Sequence, residues 1–406
     1  MNRELEPQAA NVDPLDAELR DRLGPVPRRR WLSRWPRRHL ALGLAAAPAP
    51  TLVFVPLGVL LGPAAAGLLD ERVLGHLDAA VSVALAVLGV FVGLALGRQR
   101  PAWRLLAASS TQATVTGAVV LGVAVALLAG WRMPTDIAPW LAALCLALGA
   151  SPSAAPPPQG DRGAATVADV DDLVPIAISA GLLAWLSPVG GGVAVLLPAT
   201  IGIGAAVAVI GGLLLPDSRH PSERIVFVVG VLLLLGGAAA YLSLSPLLAG
   251  LVAGFWWSLM HEEVERGLVR DLQRVQHPLV ALLLLVAGAT SSLNLQVLWL
   301  LPAFVLARLT GKLLGSWLAA RTAGGLLPQD LGVLLLSPGV LGVAAVLNVR
   351  QSLPSDTLGA VLAAVSFGAV IFEGLVHAMP PDAQSGGPGT ERGAVLAPRE
   401  GAEKRA

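Results

Sequence analysis

The stretch Asp169-Val-Asp171-Asp172-Leu-Val-Pro-Ile-Ala-Ile178 places two adjacent acids inside a run, Val167 to Pro188, that otherwise reads as a membrane-spanning helix. A charge at bilayer depth costs about 2.5–3.5 kcal/mol on insertion scales, so ionisable groups there are functional candidates. One lysine, Lys312, lies in another such run, and the other lysine of the sequence, Lys404, is in its polar C-terminal stretch. Carboxylates bind and release protons and hard cations, and an ammonium can neutralise one of them in a low-dielectric interior. The combination points to ion transport.

Composition agrees. The 406 residues are 55% hydrophobic with a mean hydropathy of +0.70, and apolar runs of about twenty residues recur, each long enough to cross a bilayer. A basic, aromatic-rich soluble domain is lacking, so nucleic acid is not an expected partner. The single cysteine, Cys145, falls in an apolar run and excludes a disulfide framework. Neither a nucleophile–base set nor a metal-ligand cluster appears, so an enzyme is the least supported class and no cofactor is expected. Residues 1–39 are polar and too long before the first apolar run for a cleaved secretory signal, and they read as a basic, disordered cytoplasmic arm. Residues 40–379 form the transmembrane domain, and 380–406, rich in Gly, Pro and charge, read as a disordered cytoplasmic tail.

Hydropathy divides 40–379 into twelve candidate spans, an all-α polytopic arrangement. The fourth covers 138–155, the fifth 164–188, the ninth 277–293, the tenth 297–321, the eleventh 331–350 and the twelfth 356–379. The seventh and eighth are separated only by Ser243-Leu-Ser-Pro246. With a cytoplasmic amino terminus, twenty-three of the 28 basic residues fall on the inner side, and Arg72, Arg132 and Arg350 on the outer. Both termini are therefore expected inside. The charged stretch from His261 to His277 reads as an amphipathic connector on the membrane surface, with a pH or cation sensor as its alternative.

Arg162 and Arg321 mark the inner surface on the fifth and tenth spans. Asp171 lies nine residues past Arg162 and Lys312 nine before Arg321, so both are about 13 Å deep, near the middle of a core about 30 Å thick. The fourth and eleventh spans are each broken by Ser-Pro, at Ser151-Pro152-Ser153 and Ser337-Pro338. Proline removes a backbone donor, and paired broken helices in the two halves of a transporter point to a midplane site. Ser151, Ser153 and Ser337 are the candidate lining residues. Two bland alternatives stand beside this: ordinary proline kinks, and Asp172 as the N-cap of a helix starting at Leu173 with Pro175 in its first turn, which would leave the acids at headgroup level. Arg308, one turn from Lys312, is an alternative partner for the acids. Glu373 pairs with His377 in an interfacial reading or serves as a secondary proton group. Ser109, Ser110, Thr111, Gln112, Thr114 and Thr116 read as helix-packing residues.

Several motifs together resemble the cation:proton antiporter superfamily, in its bacterial Na+/H+ and K+/H+ exchanger branch. They are Pro56-Leu-Gly-Val-Leu-Leu-Gly-Pro63, Gly89-Val-Phe-Val-Gly-Leu-Ala-Leu-Gly97, the paired-acid stretch, Leu285-Val-Ala-Gly-Ala289, Arg308-Leu-Thr-Gly-Lys312-Leu-Leu-Gly315 and Leu336-Ser-Pro-Gly-Val-Leu-Gly342. The resemblance implies inverted repeats with two crossed discontinuous helices, core and dimerisation subdomains, alternating access, a homodimer and the bacterial cytoplasmic membrane. By the matching positions, Asp172 is the essential carboxylate that binds cation or proton, and Asp171 is its partner, paired with Lys312 when the cation is absent. The short loop Pro156-Pro-Pro-Gln-Gly-Asp-Arg-Gly163 departs from the family pattern. The expected function is exchange of a monovalent cation, Na+ or K+, for protons. A cation channel or efflux pore on the same scaffold, and a non-transporting membrane sensor, are the rivals.

Overall fold

The computed structural model describes residues 50–99, 103–130, 135–154, 162–187, 192–214, 221–259, 262–323, 327, 331–336 and 338–378. The expected arm (1–39) and tail (380–406) lie outside these residues, as does Ser337.

Fourteen helices account for nearly all of the described chain: α1 (Pro50–Leu61), α2 (Glu71–Gln99), α3 (Trp103–Gly130), α4 (Pro139–Ala150), α5 (Arg162–Asp171), α6 (Leu173–Leu186), α7 (Gly192–Leu214), α8 (Pro221–Tyr241), α9 (Pro246–Ser258), α10 (Glu262–Ala289), α11 (Leu295–Thr322), α12 (Leu331–Leu334), α13 (Val340–Ser352) and α14 (Asp356–Ala378). Among the described residues, six stretches are long and apolar enough to cross a membrane: Glu71–Gly97, Trp103–Gly130, Gly192–Leu213, Leu272–Ala289, Leu295–Thr322 and Asp356–Val376. The chain is a multi-pass membrane protein. The fifth sequence span corresponds to α5 and α6, the eleventh to α12 and α13, and each of the others to one helix.

Local chemistry sets several boundaries. Proline opens α4 and α9, where a missing N–H costs nothing. Ser245 caps α9 by accepting from the Leu248 N–H at 3.3 Å, and Asn294 caps α11 by accepting from the Gln296 N–H at 3.1 Å. The tight turn between α8 and α9 holds Ser243 at a φ of 55°. Asp136, in the segment before α4, caps α14 from a distance in sequence. Its carboxylate accepts from the Asp356 and Thr357 N–H groups at 2.9 and 3.2 Å and from Ser355 Oγ at 2.9 Å. Partial burial works to raise its pKa, but the bonds from Thr357, Ser355 and Asp356 outweigh it and hold the group at about 2.

The charged stretch expected as an amphipathic connector is helical and runs on without a break: Glu262–Ala289 is one continuous 28-residue helix, passing through Pro278 into the ninth span. The fourth span is discontinuous at Ser151-Pro152 as expected and not an ordinary proline kink: α4 stops at Ala150 and residues 151–154 are not helical.

Helix contacts fall into two groups. In one, α3 packs along α11, and α4 touches α3, α13 and α14. In the other, α2 packs along α9, with α7 and α8 beside them, around a core that includes Val90, Leu235 and Trp257. The α2–α9 seam is built on glycine. A Cβ on Gly89 or Gly93 would strike the carbonyl oxygens of Leu247 or Leu251, and one on Gly250 or Gly254 those of Ala86 or Val90. Lipid tails are as apolar as leucine, so helices in a membrane associate through close backbone packing of this kind. α1 and α10 meet the same way at Gly58 and Gly288, α10 also contacting α2 and α13.

Candidate functional site

The site begins where α4 ends. The last carbonyls of a helix have no intrahelical donor, and here side chains of α11 supply them. Arg308 Nη1 donates to the carbonyls of Ala150 and, at 3.4 Å, Gly149, while Nη2 donates to that of Pro152 at 2.9 Å. The guanidinium carbon lies 5.5 Å from the Phe372 ring centroid of α14, and the residue is fully buried. One turn on, Lys312 Nζ donates to the Ser151 carbonyl, to Ser153 Oγ at 2.6 Å and to Asp171 Oδ2 at 2.7 Å. An ammonium has three protons, and all three are used.

Asp171, at the end of α5, is fully buried like its partner Lys312. Its Oδ2 also accepts from Ser153 Oγ at 2.9 Å, so that hydroxyl receives one proton from Lys312 and gives its own to the carboxylate. Asp172 is half-buried and sits between α5 and α6. Pro175 has no N–H to give to the Asp171 carbonyl, which loosens the helix at this point. Asp172 does occupy the N-cap of α6, but with helical dihedrals (φ −69°, ψ −21°) and no side-chain capping bond. Asp171 is buried against a lysine and not solvated, unlike the solvated pair of the N-cap alternative. Asp171 Oδ1, Asp172 Oδ1 and Ser151 Oγ are buried oxygens that make no hydrogen bond.

The second break crosses the first. Ser153 and Pro338 form an isolated antiparallel bridge, so the chain just past the end of α4 and the chain just before α13 meet running in opposite directions. At Gly342 of α13 an added Cβ would strike the Gly149 carbonyl oxygen, and Gly339 beside the break lies against Ser153. The α3–α11 contact steadies the lysine: Gly315 lies against Gln112, whose Oε1 accepts from Ser316 Oγ at 3.2 Å, and Gly311 lies against Thr116. Ser109 Oγ donates to the Val167 carbonyl at 3.0 Å and ties α3 to α5.

The structure thus brings together Asp171, Lys312, Ser151 and Ser153, with Asp172 adjacent in sequence. Arg308 differs from expectation: its terminal nitrogens hold the α4 carbonyls rather than either acid. Glu373 is half-buried on α14, next to Phe372. The part played by the Gly149, Ala150 and Pro152 carbonyls was not anticipated. Its signal was present in the sequence, since a helix broken at Ser-Pro must find donors for its last carbonyls. Among the described residues no group of three His, Cys, Asp or Glu side chains could hold a metal ion as a protein ligand set. A separate cavity of about 360 Å³ opens between the two helix groups, lined by Asp78 and Ser82 of α2, Ser187 and Asn348 among others. Beside it, Asn348 Nδ2 donates to Ser245 Oγ at 3.3 Å.

The all-helical membrane fold finds a match among solved structures. The sodium proton antiporter MjNhaP1 from Methanocaldococcus jannaschii, solved at pH 8, superposes with a TM-score of 0.55 over 83% of this chain and 96% of its own. The fold is antiporter-like. Sequence identity is 13%, and the likeness extends to the fold alone. No protein-family profile and no curated protein sequence matches the chain.

Proposed function

We propose that this protein is a secondary active antiporter that exchanges a monovalent cation, Na+ or K+, for protons by alternating access. The observation that carries the reading is the buried Asp171–Lys312 pair at the crossing of two broken helices, beside two carboxylate oxygens that make no hydrogen bond. A pair of this kind is poor at adding stability, because desolvation offsets most of the attraction. Its presence is better explained by use.

In this mechanism Asp172 receives the cation or a proton, and Asp171 exchanges Lys312 for a share of the cation. Cation arrival displaces protons from the acid–lysine cluster, and protonation expels the cation, so one site serves both substrates without holding both. The acids titrate as a coupled unit whose apparent pKa values belong to the pair. Arg308 keeps the end of α4 fixed while Lys312 moves. The two helix groups play the parts of a moving core (α3, α4, α11 and their neighbours) and a static scaffold (α2, α7, α8 and α9). A homodimer in the bacterial cytoplasmic membrane, both termini inside, follows from the family resemblance and the arginine asymmetry.

The test is reconstitution into proteoliposomes with a pH-sensitive dye inside. A NaCl or KCl gradient is expected to drive proton movement in the opposite direction, and Asp172→Asn to abolish it. Full exchange in Asp172→Asn, or cation flux without proton counterflow, would contradict the assignment.

A further inference from the structure

Away from the ion pair, a groove runs along the membrane-facing side of α4. Its shallow part, about 500 Å³, is lined by Trp140, Leu144, Ile178, Gly181 and Trp185. Its deep part, about 230 Å³, shares Leu144 and Ile178 and continues past Gly117 of α3 to Ser151. The two volumes adjoin at Leu144 and Ile178, between α3, α4 and α6, with Val193 of α7 at the shallow rim. Along α4 the groove extends from Trp140 to Ser151, about 16 Å at the helical rise, which is the depth of one leaflet of a hydrocarbon core about 30 Å thick. At its mouth the Trp140 and Trp185 rings lie 5.3 Å apart, and paired tryptophans mark the headgroup level in membrane proteins. The walls are apolar apart from Thr114 and Ser151 at the deep end. Gly117 and Gly181 leave its floor open: a Cβ added at either meets no protein atom within 4 Å.

We propose that this groove binds one acyl chain of a bilayer phospholipid, entering between Trp140 and Trp185 and ending against Ser151. The occupant follows from shape and surroundings. The groove is open along its side next to the membrane-spanning α3, its length is one leaflet, and its surface offers a narrow apolar chain almost nothing polar to desolvate. The deep end is the residue whose carbonyl holds Lys312, so the bound chain touches the frame of the ion pair. The assignment depends on the membrane fold and not on the antiport activity.

The test uses the purified full chain in detergent, with phosphatidylglycerol carrying either 18-carbon or 8-carbon chains. Native mass spectrometry should find one long-chain lipid retained per protein, and the thermal midpoint should rise with the long-chain lipid and not with the short. Gly117→Leu and Gly181→Leu are expected to lose both the retained lipid and the shift. Their midpoints without lipid should not fall, since leucine is the better helix former and its Cβ meets no protein atom. Gly230→Leu on α8, where an added Cβ also meets nothing, should behave as the wild type. Retention of the same lipid in both groove variants would overturn the proposal. So would a wild type that retains none, or a wild-type dimer that the groove variants abolish, since the groove would then hold a second copy.

Discussion

At the crossing, Lys312 gives every one of its protons to residues of two other segments, whereas α2 and α9 meet through bare glycine backbone. Both regions are buried. The seam uses the shortest interhelical approach available and commits no charge, so nothing in it has a second partner to switch to. The crossing commits two cations and an acid to a handful of oxygens and still leaves Asp171 Oδ1 and Asp172 Oδ1 unbonded. Rigid packing and exchangeable electrostatics are thus assigned to different helices. In the proposed antiporter, the site that releases an ion is built from the second kind of contact and held in place by the first.

The largest effect should come from breaking the pair on one side only. Lys312→Met leaves a buried carboxylate uncompensated and should lower stability by about 3–5 kcal/mol. Adding Asp171→Asn should recover most of that loss, which detergent-solubilised thermal unfolding of the two variants would read. If the double variant is as destabilised as the sum of the singles, the two groups are not coupled. Next is the seam: Gly250→Val drives a Cβ into the Ala86 carbonyl, and overpacking of this kind costs about 1–3 kcal/mol. No second change at the site should rescue it, and a rescue by any charge substitution would blur the contrast drawn above. Removing Arg308 by Arg308→Met should lower stability less than Lys312→Met while slowing exchange, because it frees carbonyls and not a carboxylate.

The smallest effect belongs to Asp136, outside both regions. Its pKa of about 2 lies below the usual 3.8, so its contribution is fully present above about pH 4 and is lost as the pH falls through about 2. Asp136→Asn should lower the thermal midpoint slightly at pH 7, and the difference from wild type should shrink as the pH falls towards 2. A difference independent of pH would assign the effect to shape rather than charge.

Much of this contrast was legible before any coordinates. Counting residues from Arg162 and Arg321 placed Asp171 and Lys312 at one depth, because helical rise is fixed and arginines mark the membrane surface. The Ser-Pro breaks were visible because proline removes a donor. Less could be read where the outcome depends on which neighbour arrives. Arg308 looked like a partner for the acids, since nothing local says that the carbonyls of α4 lie closer. Hydropathy alone also hid the continuity of α10 through Pro278, because a charged stretch lowers hydropathy without ending a helix. Gly89, Gly93 and Gly97 stood out as a motif, but their partners on α9 are a fact of the fold.

The central claim, that cation and proton compete for the acids at the crossing, is tested most directly by proton release. Purified protein in a weakly buffered solution near neutral pH is given NaCl or KCl, and the pH is followed against a choline chloride control. The account predicts release of protons on cation addition by the wild type and none by Asp172→Asn. Equal release by both, or none by a wild type that exchanges cation for protons in proteoliposomes, would contradict it.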